Sequence, residues 1–268
     1  MYTSFVISEA QMKRRIWVYL PRDYPVSGKS YPVLYMQDGQ NLFDVKASFS
    51  GEWEIDEFMD SIQEPCIVVG IDNGGETRIN EYNPNDHEEH GQGMGKEYLQ
   101  ILVEILKPYI DKNFRTKPGP SYTAIAGSSL GGLITFYAAL YHPEVFGHAG
   151  IFSPSFWIVP GIGQQVIEKA AGLHKQQRFY FYGGGKEGAE MEENIELVSS
   201  LVKKNLQAAV SVVIAEKGTH SESSWRKMFP DFYAWLSKAF KEKDDEKDDL
   251  RVDSRKRNKR VQRKGRIK

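Results

Sequence analysis

Gly127-Ser128-Ser129-Leu130-Gly131 is the stretch of this chain best suited to covalent chemistry. Ser129 has glycine two residues before and two residues after it. A strand-like run, Tyr122 to Ala126, precedes it, and an apolar helix-like run, Leu130 to Tyr141, follows. This is the setting of a nucleophile elbow, a turn so tight that the nucleophile takes a strained backbone conformation and only small residues fit at the flanking offsets. The turn also presents Oγ at a helix N-terminus, where developing negative charge is favoured. Ser128 is the competitor, but it would have Ala126 and Leu130 at those offsets, and leucine fits poorly there. The alternative without chemistry is a glycine-rich strand-to-helix connection; placement between a buried strand and an apolar helix favours the elbow.

A serine hydroxyl needs a base to act as a nucleophile at neutral pH. On this kind of turn the chain order is serine, acid, histidine. Of the 6 histidines, His142, His148, His174 and His220 follow Ser129. His142 precedes Pro143 at a helix end. His148 and His174 come before the strand that should present the acid. His220 lies in the loop Glu216-Lys217-Gly218-Thr219-His220-Ser221, between the last strand and the last helix, and is the candidate base. Glu187 is the first carboxylate after the strand ending near Tyr182, so it is the candidate acid, with Glu190 as runner-up. Glu190, Glu192 and Glu193 fall at a helix start, where acidic residues are expected for dipole reasons. An oxyanion needs two backbone N–H donors. Leu130, the residue after the nucleophile, supplies one. Gln40, in the loop Gln37-Asp38-Gly39-Gln40-Asn41 after an early buried strand, is nominated for the other, with Asn41 as the alternative.

Other residues are weighed more evenly. Arg78, Glu81 and Tyr82 lie in a loop on the side where open α/β sheets bind ligands; they read either as substrate contacts or as an Arg–Glu pair holding the loop. Phe152, Phe156 and Trp157 read as an aromatic wall for an acyl or aryl group, or as core. Asp86-His87-Glu88-Glu89-His90 is rich in metal-ligand types but lacks the i, i+4 histidine register of a zinc helix, and reads as a solvated loop.

The elements that must hold these groups follow from periodicity. Strands are expected at Arg15–Leu20, Tyr31–Met36, Cys66–Ile71, Tyr122–Ala126, Ala149–Phe152, Arg178–Tyr182 and Val210–Ile214. Helices are expected at Trp53–Ile62, Tyr98–Ile110, Leu130–Tyr141, Met191–Leu206 and Trp225–Phe240, and a polar loop at Asp72–Gly95. Alternation of buried strands with helices implies a mostly parallel sheet covered on both faces.

Composition sets the outer bounds. The chain has 268 residues, 40% hydrophobic and 26% charged, with a net charge of -1. That is ordinary for a globular protein and gives no global field to steer nucleic acid. Cys66 is the single cysteine, so no internal disulfide forms, and its apolar setting reads as core. No secretory leader and no membrane-length apolar run is visible, and a cytoplasmic location is the expectation. From Lys241 onward the residues are almost wholly charged. The expected division is a catalytic domain over 1–240 and a solvated, disordered or frayed helical tail over 241–268, with a basic arm as the less favoured reading.

The motifs resemble those of an esterase family within the α/β-hydrolases, one that takes in enterobactin esterases, feruloyl esterases, S-formylglutathione hydrolases and mycobacterial mycolyltransferases. The resemblance covers residues 2 to about 238. It is carried by Tyr31 through Phe43, by Gly70-Ile71-Asp72-Asn73-Gly74, by Arg78 through Pro84, by Gly127 through Gly132, and by Ser153-Pro154-Ser155-Phe156-Trp157. It implies an α/β-hydrolase fold, Ser129 as nucleophile, His220 as base, and the acid at Glu187, where related feruloyl esterases carry aspartate. The Ser153–Trp157 segment is most similar to the siderophore-esterase subgroup, where it borders the substrate pocket. The expected activity is hydrolysis of a small-molecule carboxylic ester, siderophore-like or another aryl or alkyl ester, through an acyl-enzyme. Acyl transfer to a sugar or alcohol, and a non-catalytic binding protein on the same fold, are the alternatives. No cofactor, metal, membrane or nucleic-acid partner is expected, and nothing in the sequence sets an oligomeric state.

Overall fold

The apolar runs of the sequence form one eight-stranded sheet in a computed structural model that describes residues 1–9, 12–169 and 177–265. The strands are β1 (Tyr2–Glu9), β2 (Met12–Tyr19), β3 (Val33–Gln37), β4 (Ile67–Ile71), β5 (Thr123–Ser128), β6 (His148–Phe152), β7 (Arg178–Gly184) and β8 (Ala209–Ala215). Their order across the sheet is β1-β2-β4-β3-β5-β6-β7-β8. The β1–β2 and β2–β4 pairs are antiparallel, and every pair from β4 across to β8 is parallel. The helices are α1 (Tyr24–Ser27), α2 (Ile55–Ser61), α3 (Arg78–Glu81), α4 (Gly95–Ile101), α5 (Lys107–Asn113), α6 (Leu130–Tyr141), α7 (Ile162–Lys169), α8 (Ala189–Leu206) and α9 (Glu222–Gly265).

Successive side chains of a strand point to opposite faces, so a strand covered on both sides must be apolar throughout. In β3, Val33 and Tyr35 join the core that α4 through α8 cover, while Leu34 and Met36 join the core beneath α2 and α9. The helix after the elbow is apolar all round because it is enclosed all round: Gly131 to Leu140 are buried without a break. Trp53, Phe229, Phe232 and Tyr233 give the α9 side an aromatic filling.

Several elements differ from the sequence-based expectation. β1 has no clear alternation because it is an exposed edge strand paired only with β2. The helix expected over Tyr98–Ile110 runs from Gly95 to Asn113 with a π-helical segment at Leu102–Leu106. Pro108 follows that segment; it has no N–H to give an i−4 carbonyl, and the wider turn absorbs the mismatch. The loop Asp72–Gly95 contains α3, and α7 carries only Ile162 and Val166 inward, too few for a periodic signal. The last helix continues past Phe240 to Gly265, so the charged segment extends a helix. Its first residues dock on the body: Lys117 Nζ donates to Asp244 Oδ2 at 2.7 Å, and Arg178 pairs with Glu242.

Those docked pairs are half-exposed and each is worth at most about 1 kcal/mol. A chain ending after Glu246 keeps them, and the ester hydrolysis expected from the sequence should stay within about twofold of the full chain, since the removed residues are far along the chain from Ser129 and His220. A larger loss in a side-by-side rate measurement would give the distal helix a part in catalysis.

His148, at the start of β6, is buried, and its Nε2–H donates to the Ser121 carbonyl at 3.0 Å. Burial, followed by the charges of Arg178 and Lys243, outweighs that hydrogen bond and pulls the imidazole down to about 4. The unfolded chain takes up the proton near pH 6.5, and the folded chain does so only near 4. Stability is therefore full above the unfolded value and falls on acidification through this window, by on the order of 3 kcal/mol. Denaturant melts from pH 7 to 4 are expected to show a shallower fall for His148→Gln; identical slopes would contradict the assignment.

Candidate active site

Each functional candidate lies just past the C-terminal end of a parallel strand, the edge where open α/β sheets hold their ligands. Ser129 follows β5, Ser153 and Ser155 follow β6, Glu187 follows β7, His220 follows β8, and Gln40 follows β3.

Ser129 sits on the β5–α6 turn with φ 58° and ψ -122°, a conformation L-residues avoid. Its N–H is held by the Phe152 carbonyl at 2.9 Å, and its own carbonyl accepts from Ser155 N–H at 3.1 Å. The glycine two residues earlier is a steric requirement: a Cβ at Gly127 would lie 2.6 Å from the Gly131 carbonyl oxygen. The residue is part-exposed.

The β7 and β8 loops meet through a second close approach. A Cβ on Gly184 would fall 2.4 Å from the Gly218 carbonyl carbon, and the room so freed lets Glu187 reach His220. Glu187 Oε2 lies 2.7 Å from His220 Nδ1, and His220 Nε2 lies 3.0 Å from Ser129 Oγ. A carboxylate only accepts, so Nδ1 carries the proton and Nε2 is left to accept from Ser129. The Glu187 side chain is 2% exposed while the imidazole is 43% exposed. Burial pushes the Glu187 carboxyl up, but hydrogen bonds from His220, Ser153 and Gly184 N–H outweigh it and hold the group below its ordinary range. Glu190, the runner-up, is exposed in the first turn of α8.

Leu130 opens α6 directly after Ser129. Gln40 lies in a 3-10 turn at Gly39–Asn41, and its Oε1 accepts from Asn73 N–H at 3.2 Å, which fixes the loop. The Asn41 N–H is given to the Asp38 carbonyl at 2.8 Å, so of the two loop donors Asn41 is already engaged.

Arg78 pairs with neither Glu81 nor a vacant cleft. Its Nε and Nη2 donate to Asp38 Oδ1 and Oδ2 at 2.8 and 2.7 Å, and Glu81 pairs with Arg14 instead. Burial pulls the Arg78 guanidinium down, but the Asp38 hydrogen bond and charge hold it above its ordinary value. Asp38 has φ 58°, and Arg78 and Asn73 together lock the loop that carries Gln40. Tyr82 and Phe156, each read as a substrate contact or as a structural residue, are 0% and 2% exposed. Tyr82 accepts from Asp38 N–H and carries Arg78 over its ring, and Phe156 packs edge-on against Phe136. Both are core: the strand-end loops fold their aromatic residues inward. Trp157, 55% exposed, stays outside. His87 and His90 stack at 4.5 Å in a surface turn closed by the His87–Gly91 bridge.

Sequence reasoning missed several neighbours. Phe49, 90% exposed, donates its N–H to Asn41 Oδ1 and stands beside the Gln40 loop. Glu222 is a half-buried carboxylate facing Asp38, His220 and Arg78; burial first, then Asp38, push it up. Glu222 reads in sequence as an ordinary acidic helix start. Phe49 carries no periodic signal at all.

A serine on the β5–α6 turn, with an acid after β7 and a histidine after β8 of a mostly parallel sheet, places the chain among the α/β-hydrolases. The family model described as "Putative esterase" matches residues 7–236; the chain belongs to that family and is a carboxylic ester hydrolase. It is similar to "Uncharacterized protein YbbA" of Bacillus subtilis, 27% identical over 238 residues that cover 83% of this chain and 92% of that one. It is 28% identical over 152 residues to an iron(III) salmochelin esterase of Escherichia coli, covering 56% of this chain and 34% of the other. Among solved structures, an IroE-like serine hydrolase from Shewanella oneidensis superposes with a TM-score of 0.70 at 20% identity, covering 90% of this chain and 88% of that one. Among the described residues no helix is long and apolar enough to cross a membrane.

Proposed function

We propose that this protein hydrolyses small-molecule carboxylic esters with Ser129 as nucleophile, His220 as base and Glu187 as the acid. The observation that supports it is the unbroken chain Glu187 Oε2···Nδ1 His220 Nε2···Oγ Ser129, at 2.7 and 3.0 Å. In this reading Ser129 Oγ attacks the ester carbonyl carbon while its proton passes to His220 Nε2. The Leu130 and Gln40 N–H groups receive the oxyanion. The C–O bond breaks, His220 returns the proton to the departing alcohol, and an acyl-enzyme remains. Water then repeats the sequence and releases the acid. Glu187 fixes the imidazole and stabilises its charged form. Arg78 acts through Asp38 on the Gln40 loop. The exposed Trp157 and Phe49 offer flat apolar contact to a substrate ring.

The substrate class is aryl and alkyl esters, siderophore-type esters included. The similarity to the iron(III) salmochelin esterase of Escherichia coli supports that choice. A panel of p-nitrophenyl, cinnamoyl and triscatecholate esters, each run with glycerol as competing acceptor, tests it. Free acid is the expected main product. An acylated acceptor as main product would make the protein an acyltransferase, and no turnover of any ester would remove the proposal.

A further inference from the structure

Ser153 is fully buried one residue past β6, with a φ of 42° that L-residues adopt only when their surroundings hold them. Its N–H donates to the Tyr182 carbonyl at 2.7 Å, which ties it to the strand that carries Glu187. Its hydroxyl touches two side chains: Trp225 Nε1 at 2.9 Å and Glu187 Oε1 at 2.7 Å. An indole nitrogen only donates, so Ser153 Oγ accepts from Trp225 and its own proton must go to Glu187. The same indole packs edge-on against the His220 ring, with centroids 5.1 Å apart and planes at 82°.

We propose that Ser153 is a positioning residue of the active site: it links Trp225 to Glu187 and so fixes the plane of the carboxylate that aims His220 at Ser129. The terminal torsion of a glutamate is broad, and one hydrogen bond does not set it. Glu187 Oε1 receives two donors from different directions, Gly184 N–H at 2.7 Å and Ser153 Oγ–H. With that oxygen pinned twice, Oε2 is presented to His220 Nδ1. Two residues on, Ser155 holds the other end. It is 3% exposed, and its hydroxyl lies 3.3 Å from Ser129 Oγ. The Ser129 proton is directed to His220, so Ser155 is the donor of that contact. One short segment after β6 therefore braces both the acid and the nucleophile, and the left-handed backbone at Ser153 lets the first of its hydroxyls turn inward.

The inference rests on the reading of Glu187 as the acid. The test measures kcat and KM for a p-nitrophenyl ester with Ser153→Ala, Ser153→Gly, Glu187→Ala and the Ser153→Ala, Glu187→Ala double variant. Loss of one hydrogen bond to a charged group predicts a kcat lower by on the order of 10–100-fold in both Ser153 variants, with KM changed little. Glycine suits the backbone at this position, so Ser153→Gly reports even where alanine harms folding. In the Glu187→Ala background, Ser153→Ala is expected to cost no more than about twofold, because its partner is gone. An equal loss in both backgrounds would make Ser153 a packing residue and overturn the inference, as would full kcat in both Ser153 variants. Full activity of Glu187→Ala alone would instead strike the reading of Glu187 as the acid.

Discussion

Replacing Ser129 by alanine is expected to lower kcat for a p-nitrophenyl ester by on the order of 10⁶, and replacing His220 by alanine by about as much. In the proposed mechanism the two side chains act as a unit. Without the hydroxyl there is nothing to acylate; without the imidazole the proton has no acceptor within reach, since the contact from Ser129 Oγ to His220 Nε2 is 3.0 Å. The double variant is therefore expected to match either single one, because the second removal takes away a partner already idle. KM changes little in each, as neither group makes its main contact in the ground state. Rates that multiply in the double variant would mean that the two residues act separately.

Changing Glu187 to glutamine is expected to lower kcat by on the order of 10⁴, by the tautomer argument known for buried acid–imidazole pairs. The orientation of the amide is forced. Oε1 accepts from the backbone N–H of Gly184 at 2.7 Å, and an amide nitrogen cannot take that place. The amide NH₂ must then face His220 Nδ1, which has to give up its proton and become the acceptor. The proton moves to Nε2, the nitrogen that has to receive from Ser129. Far-ultraviolet circular dichroism and thermal melts are expected to show the variant folded, with the loss confined to kcat. Activity within tenfold of the native protein would remove Glu187 from the mechanism.

The site was more legible than its surroundings. Ser129, Glu187 and His220, which the structure brings within hydrogen-bonding distance of one another, each carry a strong local signal in the sequence: a glycine pair around the elbow, the first carboxylate after a strand, a late histidine in a loop. Contacts between loops left no such trace. The partner of Arg78 is Asp38, 40 positions away, and no spacing rule joins them. Tyr82 and Phe156 lie in loops next to the cleft, which suggests substrate contact, yet both turn inward because a strand-end loop must cover the core before it can face a ligand. The same limit held for the fold. Helix α6 was readable to the residue because it is enclosed on all sides, whereas β1, half-exposed at the sheet edge, was not. Charge composition marked the segment from Lys241, read as a disordered or frayed helical tail, and α9 runs on through it to Gly265.

The reading of Ser129 as a nucleophile activated by His220 is tested most directly by covalent labelling. The native protein is treated with a fluorophosphonate at neutral pH, digested, and the modified peptide sequenced by mass spectrometry. A single adduct on Ser129 is expected, much slower to form in His220→Ala and missing in Ser129→Ala. An unlabelled native protein, or an adduct on Ser128 or Ser155, would contradict the account.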